Sequence, residues 1–528
     1  MQRSQLLERL RRGERYDLIV VGGGATGLGL ALDAAQRGLR TALLEAEDFA
    51  KGTSSRSTKL LHGGVRYLAQ GQIGLVREAL HERATVLANA PHLASPLGFV
   101  TPARRFWQAP YYGLGLKAYE WLAGRRSLGP TEFLRSRRVT ELLPGAAPAG
   151  LRGGVRYWDA QFDDARLALA LARTALARGA DLLNHCEVTA LRHEKGHVAG
   201  VQARCRESGE VLELSAACVV NATGVWVDAL RGLDAEAGAQ PAPTAMLRPS
   251  QGVHLVVDRS FLGGDHALLV PRTDDGRVLF AVPWLGSTLL GTTDTPRDAL
   301  PLEPEALQEE VAFILREAGR VLRRAPQPAD VRSCWVGLRP LVKPEGEDGG
   351  GTGGISREHT VRVAASGLVT VTGGKWTTYR AMAEDVLERC AAAGLLPATP
   401  AGGTERLPLV GAQAGGPPVS APPGLHGYGS EAAALQALPG ANNWLWQAEA
   451  PGCGLSEAMV RFAARHELAR SVEDVLARRC RLLFLDAARA EALAAPVAAL
   501  LAEELGRTPE QLGLEPFIDL ARRYRQLP

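Results

Sequence analysis

From Asp17 onward, apolar runs alternate with glycine stops. Residues 18–21 read as a buried strand, a glycine loop follows, residues 28–37 have helical spacing, Gly38 ends that helix, and residues 41–44 read as a second strand. A helical pattern returns at 75–89. Proline- and aromatic-rich connections surround it, marked by Pro91, Pro96, Pro102 and Pro110. Residues 163–179 read as a helix, and 182–184 and 188–191 as short strands. From 250 to 300 the pattern is strand-like, with turn signals at Asp275-Gly276 and Asp294-Thr295-Pro296, and it predicts an antiparallel sheet outside the nucleotide-binding unit. Periodicity stops at 411–427, where Gly-Gly-Pro-Pro and Ala-Pro-Pro-Gly read as a linker. Beyond it Ser471-Val-Glu-Asp474 is a capping box. It predicts a helix with Val475, Leu476, Leu482 and Leu483 on one face and Arg478, Arg479 and Arg481 directed elsewhere. The glycine-rich stretch 349–354 reads as a surface connection.

Composition narrows the picture. A chain of 528 residues requires at least two packed units. Its 60 basic and 57 acidic residues give a net charge of +3, too weak a field for a nucleic-acid binder. Only six of the basic residues are lysines (51, 59, 117, 195, 343 and 375), so a retained lysine is worth noting. Seven cysteines are scattered without a C-x-x-C, so neither a disulfide framework nor a metal site is expected, and a reducing compartment fits. No stretch is apolar enough to span a membrane: the most apolar late segment, 487–505, is broken by Arg489, Glu491, Pro496, Glu503 and Glu504. Residues 1–15 carry five arginines and two glutamates around Leu6, Leu7 and Leu10, a basic amphipathic arm that either packs its leucines on the body or touches anionic lipid.

The chemistry starts at Gly22-Gly-Gly24-Ala25-Thr26-Gly27. This G-x-G-x-x-G follows a strand and opens a helix, and Glu45 stands at the end of the next strand, 18 residues after Gly27. Side-chain-free positions let backbone approach a pyrophosphate, the helix N-terminus supplies N–H donors, and the acidic residue accepts ribose hydroxyls. A second buried strand ending in Ala222-Thr-Gly224 favours a bound flavin dinucleotide. So does the polar run 52–59, whose hydroxyls and Lys59 are offered to a second phosphate.

The stretch Asp48-Phe-Ala-Lys-Gly-Thr-Ser-Ser-Arg-Ser-Thr-Lys-Leu-Leu-His-Gly-Gly-Val-Arg-Tyr-Leu68 resembles the signature of FAD-dependent, quinone-linked respiratory glycerol-3-phosphate dehydrogenases. Asp163-Asp-Ala-Arg-Leu167, Gln251-Gly-Val-His254, Gly291-Thr-Thr-Asp294, Gly337-Leu-Arg-Pro340, Ser356-Arg-Glu-His359 and Thr372-Gly-Gly-Lys-Trp-Thr-Thr-Tyr-Arg380 follow in family order, and 465–484 resembles its C-terminal domain. The resemblance implies an α/β fold. It comprises a glutathione-reductase-type FAD-binding Rossmann domain, a D-amino-acid-oxidase-like antiparallel-sheet substrate domain and an α-helical C-terminal domain. The expected division is an arm at 1–15, an oxidoreductase region at 16–400, a Gly/Pro-rich linker at 401–427 and a helical domain at 428–528. Within the second, FAD-binding parts fall at about 16–65, 160–245 and 340–400, and substrate-domain parts at about 66–159 and 246–339.

It further implies oxidation of sn-glycerol 3-phosphate to dihydroxyacetone phosphate, hydride passing from C2 to flavin N5 and electrons to a membrane quinone. The enzyme would sit peripherally on the inner face of the cytoplasmic membrane, with a homodimer compatible. An oxidase branch uses oxygen and carries an insert expected near 349; here Glu358 stands only 18 positions after Pro340, which favours the dehydrogenase. Expected cofactor contacts are Gly22, Gly24, Ala25, Thr26, Gly27, Glu45, Ser54, Ser57, Thr58, Val188, Gly224, Lys375, Trp376 and Thr377. Arg66, Arg339 and Arg357 match the family's substrate arginines, whose planar fork suits a phosphate, and Arg66, expected close to the reacting carbons, and Arg339 are also among the expected catalytic residues. His62 and His254 are the proton-acceptor candidates. Lys375 is a third, or else stabilises developing negative charge. Which of the three takes the proton is left open by the sequence.

Overall fold

The computed structural model describes residues 3–69, 71–238, 241, 243–274, 276–343 and 358–528, with only the backbone described for Arg66 and Ala69. The strand Tyr16–Val21 is almost wholly apolar and buried, the pattern of a parallel strand covered on both faces. It runs parallel to Thr41–Leu44 on one side and Val211–Asn221 on the other. Asp181–Leu183 extends the first edge, and Val369–Gly373 then His359–Val363 the second. A hairpin, Cys186–Glu194 with His197–Cys205, continues antiparallel from Val211–Asn221. Helix Ala25–Gln36 packs between Asp164–Ala177 and Tyr379–Ala392. It begins three residues before the expected start, because Ala25, Thr26 and Gly27 form a first turn that apolar spacing alone does not mark.

The second sheet has ten strands. Ser250–Asp258, Leu279–Trp284 and Ser287–Gly291 pair antiparallel as the 250–300 pattern predicts, whereas Ala267–Val270 runs parallel to Ala94–Ala103. Ser333–Arg339 pairs with Ser250–Asp258 in a register that sets Trp335 opposite His254 and Arg339 opposite Ser250. Gln108–Ala123 is a helix where the sequence suggested only connections. Pro110 sits in its first turn, where the missing N–H has no intrahelical partner to lose.

The C-terminal part is helical, as expected, around Glu457–His466, Ala487–Leu505 and Leu514–Arg525. Among the described residues no helix is long and apolar enough to cross a membrane.

Two local expectations are corrected, and one alternative is decided. The capping box forms: Asp474 N donates to Ser471 Oγ at 3.1 Å and Ser471 N to Asp474 Oδ2 at 3.1 Å. But the helix is a single turn, Asp474–Arg479, broken by left-handed Arg481, and Arg478, Arg479 and Arg481 are buried rather than turned away. They are drawn inward by carboxylates: Arg478 and Arg479 bind Asp48, and Arg481 Nη2 reaches Asp164 at 3.1 Å. Asp48, His185 and Asp474 also converge, but these arginines already answer the two carboxylates.

The 411–427 stretch is irregular yet docked. Leu285 N donates to Val419 O at 3.1 Å, Gly286 N to Ser420 O at 2.9 Å, and Val419 N to Ser95 Oγ at 3.1 Å. The N-terminal arm is the helix Arg3–Arg11, laid on the body with Leu6 and Leu10 buried. Arg3 Nη1 binds the Asn184 carbonyl and side chain at 2.8 and 2.9 Å, and Arg11 grips Glu210 with two bonds of 2.8 and 2.7 Å. Packing on the body is therefore the use realised. The 349–354 loop lies outside the described residues.

Candidate active site

The glycine loop is required by close approach. Gly22 has φ +109, and a Cβ there would come 2.6 Å from Ala222 O; at Gly27 it would come 1.9 Å from Gly22 O. These contacts press the loop against the Ala222-Thr-Gly224 turn, where Gly224, at φ +65, accepts from Thr372 Oγ1 at 3.2 Å. Gly24 has no side chain to cap the following helix, so apart from Ala25 N–H, which Ser54 Oγ takes, the first-turn N–H groups and dipole face the loop, a setting for an anion. Glu45 accepts from Gly23 N at 2.6 Å and Glu47 N at 2.8 Å, while burial pushes its carboxyl up. Val188 lies on the hairpin strand whose first residue, Cys186, donates its N–H to Glu45 O.

The signature segment joins the two sheets. Ser54 Oγ accepts from Ala25 N at 2.9 Å, and Ser54 O from Trp376 Nε1 at 2.8 Å. Thr53 Oγ1 donates to Leu338 O at 2.6 Å, and Arg56 Nη1 to Val336 O at 3.3 Å, fastening the segment to the substrate sheet. Trp376 and buried Thr377 belong to the turn Trp376–Thr378, beside which Lys375 Nζ stands 3.9 Å from the centre of the Tyr67 ring. The expected nucleotide loop, Ser54, Trp376 and Lys375 are thus brought to one place.

Two members of the polar run do otherwise. Ser57 Oγ donates to Asp164 at 2.7 Å and accepts from Lys59 N, so its hydroxyl faces this carboxylate rather than a phosphate. Lys59, read from sequence as a cation for a second phosphate, is wholly buried. Its Nζ binds Asp164 Oδ2 and Ser55 O, each at 2.7 Å, and lies 4.6 Å from the centre of the Trp335 ring. Burial pushes it down to about 7 despite the nearby Asp164. Arg481 shares Asp164 and Ser55 O from the C-terminal part at 3.1 and 2.7 Å. The sequence pointed to neither Asp164 nor Arg481 as site residues; the retained lysine in the signature was the available signal.

His254 lies at the centre of this arrangement. It is buried and stacked on Trp335 with ring centres 4.2 Å apart, and its Nε2 is 3.0 Å from Thr58 Oγ1. Nδ1 is buried without a partner among the described residues. Burial, with Lys59 and Arg339 nearby, holds the imidazole well below the usual histidine range, so it is neutral. On the adjacent strand Arg339 is fixed by Asp294 Oδ1 at 3.0 Å and Thr293 O at 2.9 Å. His62, half-buried, precedes Gly63, whose N–H donates to Tyr119 Oη at 2.8 Å. The Arg66 side chain and Arg357 lie outside what is described.

The arrangement fits a dinucleotide. It offers a glycine cradle that a Cβ would fill, a helix start at Gly24 that carries no capping side chain of its own, and a buried Ser55 hydroxyl without a partner among the described residues. The FAD dependent oxidoreductase family matches residues 17–389, and the C-terminal domain of alpha-glycerophosphate oxidase matches 403–512. The protein is therefore a FAD-dependent oxidoreductase by class.

Relatives include the glycerol-3-phosphate dehydrogenase of Mycobacterium leprae, 40% identical across 97% of this chain and 89% of its own. The probable mitochondrial glycerol-3-phosphate dehydrogenase of Caenorhabditis elegans is 39% identical across 96% and 72%. The solved glycerol-3-phosphate dehydrogenase of Bacillus halodurans, complexed with FAD, superposes with a TM-score of 0.77 at 29% identity, covering 99% of this chain and 98% of that one. The L-alpha-glycerophosphate oxidase of Mycoplasma pneumoniae shares the fold, with a TM-score of 0.55 at 16% identity over 71% of this chain and 94% of its own. The chain belongs to the FAD-dependent glycerol-3-phosphate dehydrogenase family.

Proposed function

We propose that this chain oxidises sn-glycerol 3-phosphate to dihydroxyacetone phosphate and passes the electrons to a membrane quinone at the inner face of the cytoplasmic membrane. The observation that carries the chemistry is the neutral, partner-poor His254 set between the signature segment and Arg339. A secondary alcohol loses a hydride from carbon and a proton from oxygen. When bound, FAD supplies the two-electron acceptor. Gly22, Gly24 and Gly27, the first turn of helix Ala25–Gln36, Glu45, Ser54 and Trp376 would hold it.

The chain's own residues do the remainder. Arg339, oriented by Asp294, meets the phosphate, with Arg66 and Arg357 completing the anion site. His254 takes the hydroxyl proton: its imidazole is neutral, and in the tautomer whose Nε2–H donates to Thr58 Oγ1 the lone pair that receives the proton is on Nδ1. Thr58, 3.0 Å from Nε2, sets the ring's orientation. Lys375 stabilises negative charge as it develops near the cofactor.

Oxygen is the rival acceptor, since the matched C-terminal domain is named for an oxidase. Peroxide yield during turnover, set beside reduction of a quinone analogue, separates the two. Quinone reduction with little peroxide supports the proposal, and near-stoichiometric peroxide refutes its second half.

A further inference from the structure

Arg481 lies within the matched C-terminal domain, yet its guanidinium ends among residues of the oxidoreductase region. Its side chain and those of Lys59 and Asp164 have no exposed surface. The two cations share their partners. Asp164 Oδ1 accepts from Arg481 Nη2 at 3.1 Å and Oδ2 from Lys59 Nζ at 2.7 Å. Ser55 O accepts from both, each at 2.7 Å. Both also lie over the same two rings: Trp284, 5.4 Å from its centre for Arg481 and 5.0 Å for Lys59, and Phe484, at 4.4 and 5.5 Å. Arg481 has a left-handed backbone, φ +65, just before the short helix Leu482–Leu485. A residue with a Cβ keeps that conformation when its surroundings over-determine it, and here the bonds to Ala477 O at 2.9 Å, Ser55 O and Asp164 do so.

An interdomain clamp needs one cation on one carboxylate; this one has two. Arginine keeps its proton, so Lys59 shares Asp164 with a charge that never leaves. Asp163 Oδ1 is 3.5 Å from Arg481 Nε, but burial pushes the Asp163 carboxyl up, so it is a weaker counter-charge. Among the described residues, the charged and titratable groups facing Lys59 are Asp163 and Asp164 at the start of helix Asp164–Ala177, Arg481 from the C-terminal domain, and His254 across the Trp335 ring. Those facing His254 are Lys59 and Arg339. Whatever sets the charge on Lys59 is therefore felt at His254.

We propose that Arg481 and Asp164 are positioning residues for the proton step: as a pair they fix Lys59 against the Trp335–His254 stack and govern how tightly its ammonium is held, so that the C-terminal domain takes part in the chemistry. They act through Lys59 and His254 rather than on the substrate. The inference rests on the reading of His254 as proton acceptor. Because Arg481 Nη2 and Lys59 Nζ bond one oxygen at 2.7 Å each, they are at most about 5.4 Å apart. At an effective dielectric of about 20, repulsion at that separation moves the loss of the Lys59 proton down by about 2 pH units. Asp164, in direct contact with Nζ, moves it the other way.

The test follows flavin reduction by glycerol 3-phosphate in anaerobic stopped flow, with the full-length flavoprotein, across pH. The wild-type rate should rise in a step centred at about 7. Arg481→Gln keeps an N–H donor but no charge, and should move the step up by about 2 pH units. Asp164→Asn keeps the shape and removes the carboxylate, and should move it down by at least about 2 pH units. Arg481→Lys restores the charge and should bring the step back to within about 0.5 pH units of wild type. A merely structural role slows reduction or releases flavin at every pH and leaves the step in place. A flavin-loaded Arg481→Gln or Asp164→Asn protein with the wild-type step overturns the proposal, and if one of the two fails to fold the other decides alone. A wild type without any step refutes the His254 reading and this inference together, whereas a wild-type step that the folded variants leave unmoved refutes this inference alone.

Discussion

Lys59→Met removes a buried cation while leaving Arg481 on Asp164, so the carboxylate keeps a charged partner. Lys59 Nζ lies 4.6 Å from the Trp335 ring centre and the His254 ring centre 4.2 Å from it, so the two are at most about 9 Å apart. At an effective dielectric of about 20, unit charges at that separation repel by about 1.8 kcal/mol, or about 1.4 pKa units. Because burial brings Lys59 down to about 7, it is charged below that pH and opposes proton uptake by His254; above it the opposition disappears. Flavin reduction by glycerol 3-phosphate should therefore quicken as pH rises through about 7. The step should be about 5-fold if the proton is half transferred in the transition state and about 20-fold if wholly transferred. Anaerobic stopped flow across this range measures it. The wild type should show the step, and Lys59→Met, with normal flavin content, should run at the fast plateau throughout. A step of equal size at the same pH in the variant would refute the reasoning, as would its absence from the wild type.

Arg339→Ala should lower kcat/KM for glycerol 3-phosphate by about two to four orders of magnitude, the loss of two charge-assisted bonds of about 1.5–3 kcal/mol each. Flavin content and the slow oxidation of unphosphorylated glycerol should be preserved, and an equal effect on both substrates would remove Arg339 from the phosphate site. Lys375→Met should slow flavin reduction in a single turnover; an unchanged rate would confine Lys375 to structure. Deleting residues 1–14 should lower the unfolding temperature, because buried Leu6 and Leu10 each contribute about 1.5–3 kcal/mol, while vesicle binding persists. A folded deletion protein that no longer binds vesicles would return the membrane contact to the arm.

What could be read from sequence follows the range of the forces involved. The nucleotide loop was legible because its constraint is local: Gly27 must admit Gly22 O five residues earlier, and the flanking strands are continuous apolar runs. His254, Arg339, Ser54 and Trp376 were reached through motifs, and the structure gathers them by strand register and by the signature segment. The buried charges were not legible. Arg478 and Arg479 meet Asp48 across more than 400 residues, and Arg481 meets Asp164 across more than 300. An arginine's composition-level expectation is solvent, and only its distant carboxylate overturns it. Lys59 misled for the same reason. The Gln108–Ala123 helix was hidden because apolar residues on two opposite sides leave no single periodic face.

The central claim is that a flavin in this chain is reduced by glycerol 3-phosphate. Its most direct test is the absorption spectrum of the purified protein before and after anaerobic addition of that compound. The purified protein should show a yellow flavin band that bleaches rapidly with glycerol 3-phosphate and far more slowly with glycerol at the same concentration. A flavin-loaded protein whose band is unaffected by glycerol 3-phosphate would contradict it.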